Sequence, residues 1–152
     1  MTVRILAVGK KHESWVAEGI TRYERRLRRP WDIKWQFLKH SGRAEAEARR
    51  EESERILSRV EAREFLVVLD ERGSQFTCPG IARTLQTAFD ESKPVTVVIG
   101  GAYGVDESVR ARADVVWSLG QLVFPHQLVR LILTEQLYRA GEISAGRAYH
   151  HE

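Results

Sequence analysis

Two loops in the second half of the chain carry the residue types best suited to ligand chemistry. The first is Gly100-Gly101-Ala102-Tyr103-Gly104, a glycine-rich turn that directly follows an apolar run. The second is Gly120-Gln121-Leu122-Val123-Phe124-Pro125-His126, which is apolar where connecting segments are normally polar. Glycines let the backbone approach a ligand without a clash at Cβ, although an ordinary strand-to-helix turn needs no ligand.

The apolar loop at residues 120–126 is harder to explain as a plain connection. Leu122, Val123 and Phe124 should be buried, and a buried loop leaves backbone amides and carbonyls that need partners. A flat heteroaromatic ligand meets both demands, because apolar walls contact its faces and backbone groups contact its edge. We therefore expect adenine at this loop; the alternative is a loop folded beneath its own helix.

Strand-like and helix-like segments alternate along the whole chain, and these elements must position the two loops. Such alternation is typical of one α/β domain, here residues 1–152, with a mainly parallel sheet covered on both faces. Ligands bind beyond the carboxyl ends of parallel strands, so the segments after Leu69, Ile99 and Leu119 should lie together. The patterns predict strands at 3–9, 31–37, 65–70, 95–99 and 115–119, and helices at 13–29, 41–63, 79–89, 106–113 and 126–140.

Two of these elements have distinctive patterns. The segment 31–37 alternates apolar and polar residues, as expected of an edge strand with one wet face. The helix at 126–140 is apolar around most of its circumference, more than one sheet face can cover. We therefore expect a homodimer whose contact includes Leu128 to Tyr138. The alternative is that this helix is central to a single core.

The charge pattern favours a polyanionic partner without requiring one. The net charge is +3, and residues 21–50 hold ten Lys or Arg against four Asp or Glu. Such a patch can neutralise phosphates, or it can simply be a solvated helix face. The single Cys78 excludes an internal disulfide and suits a reducing compartment. With no signal-like amino terminus and no long apolar stretch, the sequence predicts a cytoplasmic protein.

Several familiar sites are not expected in this sequence. No GxGxxG follows the first strand, and Lys39-His40 stands where a ribose-binding acid would be. The phosphate-binding pattern GxxxxGK[ST] does not occur, and no histidines have HExxH spacing. The sequence therefore does not predict a dinucleotide-dependent dehydrogenase, a P-loop NTPase or a metal centre.

Four segments together resemble the RlmH (YbeA-type) family of the SPOUT superfamily, ribosomal RNA large subunit methyltransferase H. They are ILAVGK, IGGAYGV, WSLGQLVFPHQLVR followed by LTEQLYRA, and the tail AYHHE. The resemblance implies a SPOUT-type α/β fold with a carboxyl-terminal deep trefoil knot, a homodimer and S-adenosylmethionine as cofactor. By position it implies cofactor contacts at Leu69, Gly101, Gly120, Gln121, Leu122, Val123, Phe124 and Pro125.

The same resemblance implies methylation of N3 of a pseudouridine in 23S ribosomal RNA, on assembled ribosomes. That nitrogen is weakly acidic, so a base or a positive charge must favour its anion. Candidates are Tyr149 to orient the base, Arg139 to stabilise charge or anchor Glu135, and His126 if it faces the pocket. His151 stands where relatives commonly carry Arg or Lys. The alternatives are a non-catalytic RNA- or ribosome-binding module, and a methyltransferase acting on another RNA or on a protein.

Overall fold

Five apolar, β-branched segments form the strands of one sheet in the computed structural model, which describes residues 1–149. The order across the sheet is β2-β1-β4-β3-β5, and every neighbouring pair is parallel. The central strand β4 is buried throughout, whereas β2 lies at the edge, as its alternating pattern predicts. The strands are β1 (Val3–Val8), β2 (Ile33–Leu38), β3 (Phe65–Ser74), β4 (Val95–Ile99) and β5 (Val115–Trp117).

Five helices connect and follow the strands. Two have side-chain caps, since Thr77 accepts from the Gly80 amide and Asp106 accepts from the Val109 amide. The helices are α1 (Ser14–Glu24), α2 (Glu45–Leu57), α3 (Cys78–Asp90), α4 (Glu107–Arg112) and α5 (His126–Ser144).

The element ends differ from the sequence-based bounds for local reasons. Helix α1 ends at Glu24 and not at Arg29. Leu27, which packs against the core, lies in the turn that follows the helix. Strand β3 runs past Asp70 to Ser74 because Gly73 has no side chain. A Cβ at Gly73 would lie 2.3 Å from the Val116 carbonyl oxygen of β5. The glycine therefore allows the last strand to pair along the extension.

Helices cover both faces of the sheet, which confirms the predicted α/β layering. On one face α3 and α5 supply Leu85, Leu133 and Leu137 to the larger hydrophobic core. On the other face α2 and α4 supply Ile56 and Val109 to a smaller one. Alternate residues of the central strands point into the two cores, as a sheet buried on both sides requires.

Helix α5 is apolar on several sides because its own chain covers it. It packs between α1 and α3, and none of its residues from His126 to Ala140 is exposed. At Gly19 of α1 a Cβ would lie 2.9 Å from Leu131 Cδ1, so the two helices are in close contact. The two-sided apolarity thus does not itself require a second copy, which corrects the reason for expecting a dimer. The homodimer and the knot both stay predictions.

The helices also bear on membrane insertion. Across residues 1–149, no helix has the length and apolarity needed to cross a bilayer.

Candidate functional site

The carboxyl ends of β3, β4 and β5 border a cavity of about 410 Å³. This is the edge of the sheet at which ligands of parallel α/β proteins bind. Two of the expected cofactor residues, Gln121 and Pro125, are exposed and do not line it. The others that do line it are Leu69, Gly101, Gly120, Leu122, Val123 and Phe124.

The glycine turn after β4 is tight. Glycine is required at position 101 because side chains of neighbouring elements pack against it. The Gly104 amide donates to the Gly101 carbonyl at 3.0 Å. A Cβ on Gly101 would lie 2.5 Å from Glu52 Oε1 and 3.2 Å from Val8 Cγ1. Gly104 differs, since its φ of +75° requires glycine while open space surrounds it. The missing side chain at Gly101 therefore accommodates α2, and the turn's shape depends on that contact.

Glu52 is a buried acid that sequence reasoning missed. The Ser41 amide donates to its Oε2 at 2.8 Å, while Oε1 has no partner among the described residues. Ala48, Glu52 and Ile56 are spaced four residues apart and are all buried. That spacing places Glu52 on the inner face of α2. This four-residue spacing is visible in the sequence, but Glu52 stands among many charged residues and was not recognised as buried.

The apolar loop before α5 is largely exposed in the single chain. Leu122 is 74% exposed and Val123 is 84% exposed, so the expectation that both are buried is wrong for one chain alone. Phe124 is half-buried on the cavity wall. The exposed pair forms an apolar rim that gains stability only when a ligand or another chain covers it.

His126 lies on the cavity wall at the first turn of α5. Its Nε2 is buried without a partner among the described residues. Burial, with Arg130 nearby, lowers the pKa of His126, although the adjacent Gly100 backbone favours the protonated ring. The neutral ring keeps one nitrogen with a free lone pair.

Arg130 lies one turn further along α5 and is fully buried. Its Nη1 is 3.3 Å from His12 Nδ1, and its guanidinium carbon is 5.1 Å from the centre of the Phe37 ring. Its Nε and Nη2 have no partner in the described part of the chain. Burial, with the Arg130 charge beside it, lowers the pKa of His12 to about 4. Sequence reasoning missed Arg130, although its helical spacing from the apolar Leu133 and Leu137 is a signal that could have indicated its burial.

The remaining described candidates form a second cluster along α5. Arg139 Nε lies 3.1 Å from Glu135 Oε2, and its guanidinium carbon is 5.1 Å from the centre of the Tyr149 ring. The Tyr149 hydroxyl is 3.5 Å from the same Glu135 oxygen. Burial and the Glu135 charge raise the pKa of Tyr149 to about 12. His151 lies outside the described residues.

The two clusters do not meet within one chain. His126 and Arg139 are thirteen positions apart on the same helix, which corresponds to roughly 20 Å at about 1.5 Å per residue. The cavity with His126 is at the carboxyl edge of the sheet, and the Glu135, Arg139 and Tyr149 cluster lies toward the other edge. A reaction that used both would need groups from two chains.

This architecture defines a parallel α/β protein with a ligand cavity at its strand ends, and the comparisons name the class. Residues 1–150 match the family described as "Predicted SPOUT methyltransferase", and the chain belongs to that family. The resemblance found in the sequence is thereby confirmed.

Individual relatives have more specific names than the family. The chain is 45% identical to the ribosomal RNA large subunit methyltransferase H of Geobacter metallireducens, over 99% of each chain. It is 43% identical to the protein of the same name from Geotalea daltonii, over 99% of this chain and 100% of that one. Among solved structures, a probable methylase family protein from Haemophilus influenzae has a TM-score of 0.55 at 10% identity. That match covers 99% of this chain and 70% of that one, and it shows the fold alone.

Proposed function

We propose that this chain is an S-adenosylmethionine-dependent methyltransferase of large-subunit ribosomal RNA that acts in the cytoplasm. The family membership supports methyl transfer with this donor, and the printed names of the relatives support the substrate class. The observation that carries the proposal is the cavity itself. Six of the eight positions expected to contact the cofactor line this one space.

The residues around the cavity fit S-adenosylmethionine. A volume of about 410 Å³ suits a small-molecule cofactor. Leu69, Leu122 and Phe124 offer apolar surfaces to an adenine ring, while the backbones of Gly101 and Gly120 come close without side chains. When bound, the cofactor supplies an electrophilic methyl group on a positively charged sulfur.

We further propose N3 of a pseudouridine as the methylated atom, with His126 as the proton acceptor. This nitrogen must lose its proton before it becomes an effective nucleophile. His126 is neutral and has a free lone pair at the cavity wall. Tyr149 does not suit this role, because its pKa of about 12 keeps the hydroxyl protonated at neutral pH. Tyr149 and Arg139 instead provide a donor and a positive charge that stabilise the base anion.

A homodimer would bring the two clusters together. The exposed Leu122 and Val123 beside the cavity are a surface for a second copy to cover. The distance along α5 between His126 and Arg139 supports a site in which one protomer supplies the cavity and its partner supplies the Arg139 cluster.

Two measurements test this function. Isothermal titration calorimetry with S-adenosylmethionine should give saturable binding, and an absence of binding at millimolar cofactor overturns the methyltransferase proposal. Ribosomes from a strain lacking the gene are then incubated with enzyme and cofactor, and the RNA is digested and analysed by mass spectrometry. One additional methyl on a pseudouridine of the large-subunit RNA is expected. A methyl found on another RNA or on protein overturns the substrate assignment.

A further inference from the structure

Four exposed basic residues stand where β1 and β2 end. Lys10 and Lys11 follow β1, and Lys39 and His40 follow β2. The two loops are adjacent because the Gly9 amide donates to the Leu38 carbonyl at 2.7 Å. Within residues 1–149, none of the three lysines takes part in an ion pair. We call these four residues the β1–β2 rim.

A buried cation that forms no salt bridge within residues 1–149 lies beneath this rim. Among the described residues Arg130 has only the more distant Glu13 carboxylate to attract it, and two of its nitrogens are unpartnered. A Cβ on Gly9 would lie 3.4 Å from Arg130 Nη2, so the guanidinium is directly beside the backbone that leads into Lys10. A buried charge is screened weakly by its surroundings, and without a counter-ion it is costly. An anion at the rim would therefore be attracted both by the exposed lysines and by the buried Arg130 guanidinium.

The rim borders the cavity on the same edge of the sheet. Strand β1 lies between β2 and β4, and the glycine turn after β4 lines the cavity. The position of a Cβ on Gly101 is only 3.2 Å from Val8 Cγ1, at the end of β1. A nucleic acid that puts one base into the cavity must run its backbone across the neighbouring strand ends. The rim is where that backbone would pass.

The structure separates this rim from the other basic residues of the region 21–50. Arg22, Arg25 and Arg29 belong to the end of α1 and the turn after it. Helix α1 runs opposite to the strands it connects, so its end lies at the amino edge of the sheet, away from the cavity. The cluster that appears continuous in the sequence is therefore divided between two edges.

We propose that the β1–β2 rim binds the phosphate backbone of the RNA strand adjoining the target nucleotide. This inference rests on the proposed function, because it assumes that the RNA base enters the cavity. Lysine side chains at this edge would neutralise phosphates, releasing counter-ions and making the affinity depend on salt.

The test compares two triple variants that remove the same charge from opposite edges. One is Lys10→Ala, Lys11→Ala, Lys39→Ala; the matched control is Arg22→Ala, Arg25→Ala, Arg29→Ala. All six side chains are exposed, so both proteins should fold and unfold like wild type. Fluorescence anisotropy measures the affinity for a labelled hairpin transcribed from large-subunit ribosomal RNA at a series of KCl concentrations.

We expect the lysine triple to bind RNA at least about tenfold more weakly at low salt. Its slope of log affinity against log salt should fall by about 2, since each lost phosphate contact removes roughly 0.7 to 0.9. The arginine control should keep the wild-type slope, and both variants should keep the affinity for S-adenosylmethionine in calorimetry.

An unchanged slope in the lysine triple overturns the inference, and a loss confined to the arginine control assigns the RNA to the opposite edge. These outcomes are distinct from failure of the proposed function. That failure appears as wild-type protein that binds no S-adenosylmethionine, whatever its affinity for RNA.

Discussion

The charged groups at the two ends of α5 differ in whether they have partners within the chain. Near its start, His126 is half-buried and Arg130 is fully buried, and both keep buried nitrogen atoms without partners in the described chain. Toward its end the charges are paired: Glu135 with Arg139, and Glu142 with Arg147. One end is electrostatically satisfied within a single chain and the other is not.

This difference indicates where external partners bind. Buried polar groups in folded proteins nearly always have hydrogen-bond partners, so unpartnered ones need an explanation. Here His126 lies beside the cavity and Arg130 beneath the β1–β2 rim, where under the proposals above the target base and an RNA phosphate would come near them. The satisfied end keeps Arg139 and Tyr149 in a defined geometry.

The largest effect is expected at the glycine turn. Gly101→Val should weaken S-adenosylmethionine binding at least about 100-fold, because its Cβ would lie 2.5 Å from Glu52 Oε1 and the turn must move. Overpacking of this kind also costs about 1–3 kcal/mol of unfolding free energy. Calorimetry and thermal unfolding measure the two effects. Gly42→Ala is the control, since a Cβ there meets nothing within 4 Å. Unchanged cofactor affinity in Gly101→Val would contradict the importance of the turn.

Removing the acceptor at the start of α5 should stop the reaction without preventing cofactor binding. His126→Phe keeps an aromatic ring at the cavity wall but lacks Nε2, so the methylation rate should fall about 100-fold or more. Single-turnover methylation of ribosomes measures the rate. Lys93→Phe, at an exposed position just before β4, should be close to wild type. A rate within threefold of wild type for His126→Phe would exclude this residue as the base.

Mixing variants from the two ends of α5 tests whether they act across a dimer. His126→Phe and Arg139→Gln should each be nearly inactive alone. Unfolding and refolding them together should restore about a quarter of wild-type activity, because half of the dimers are mixed and each has one intact site. Co-refolding either variant with itself is the control. If the mixture regains nothing, the two clusters do not complement each other between protomers.

The buried His12 should make stability depend on pH at the unsatisfied end. Its folded pKa of about 4 is below the ordinary value of 6.5, so the unfolded chain binds the proton more readily. The free energy of unfolding therefore falls as the pH drops from about 6.5 to about 4, by up to about 3 kcal/mol. Urea unfolding at several pH values measures this. His12→Gln, which keeps an acceptor for Arg130, should lose that part of the pH dependence. If the variant and the wild type show the same dependence of stability on pH, a group other than His12 causes it.

The smallest effect on stability is expected from the hydroxyl of Tyr149. Its oxygen is 3.5 Å from Glu135 Oε2, which is long for a hydrogen bond. Tyr149→Phe should therefore change stability by less than about 1 kcal/mol and keep the ring beneath Arg139. Tyr149→Ala, which removes the ring, should lower methylation more strongly. Equal rates for the two variants, measured by ribosome methylation, would show that the ring contributes nothing to the reaction.

Much of the fold was readable from local patterns. Runs such as Val95 to Ile99 specify buried strands, and the alternation from Trp31 to Phe37 specifies an edge, because side-chain periodicity follows directly from backbone geometry. The two candidate ligand loops could also be recognised in the sequence, since so many glycine and apolar residues are unusual in ordinary connections. The cofactor contacts within those loops stay predictions, as do the catalytic roles.

Other features depended on residues that are distant in the chain. Nothing near Gly101 indicates that Glu52 lies against it, and nothing near Arg130 indicates His12. The basic region from residue 21 to residue 50 looks continuous until the direction of α1 divides it between two edges.

Local sequence alone thus determined the elements, the parallel sheet and the two loops, because periodicity and residue type act over a few neighbouring positions. Tertiary structure alone decided which buried charges are left without partners. That outcome depends on which distant side chains the packed sheet and helices bring within hydrogen-bonding distance.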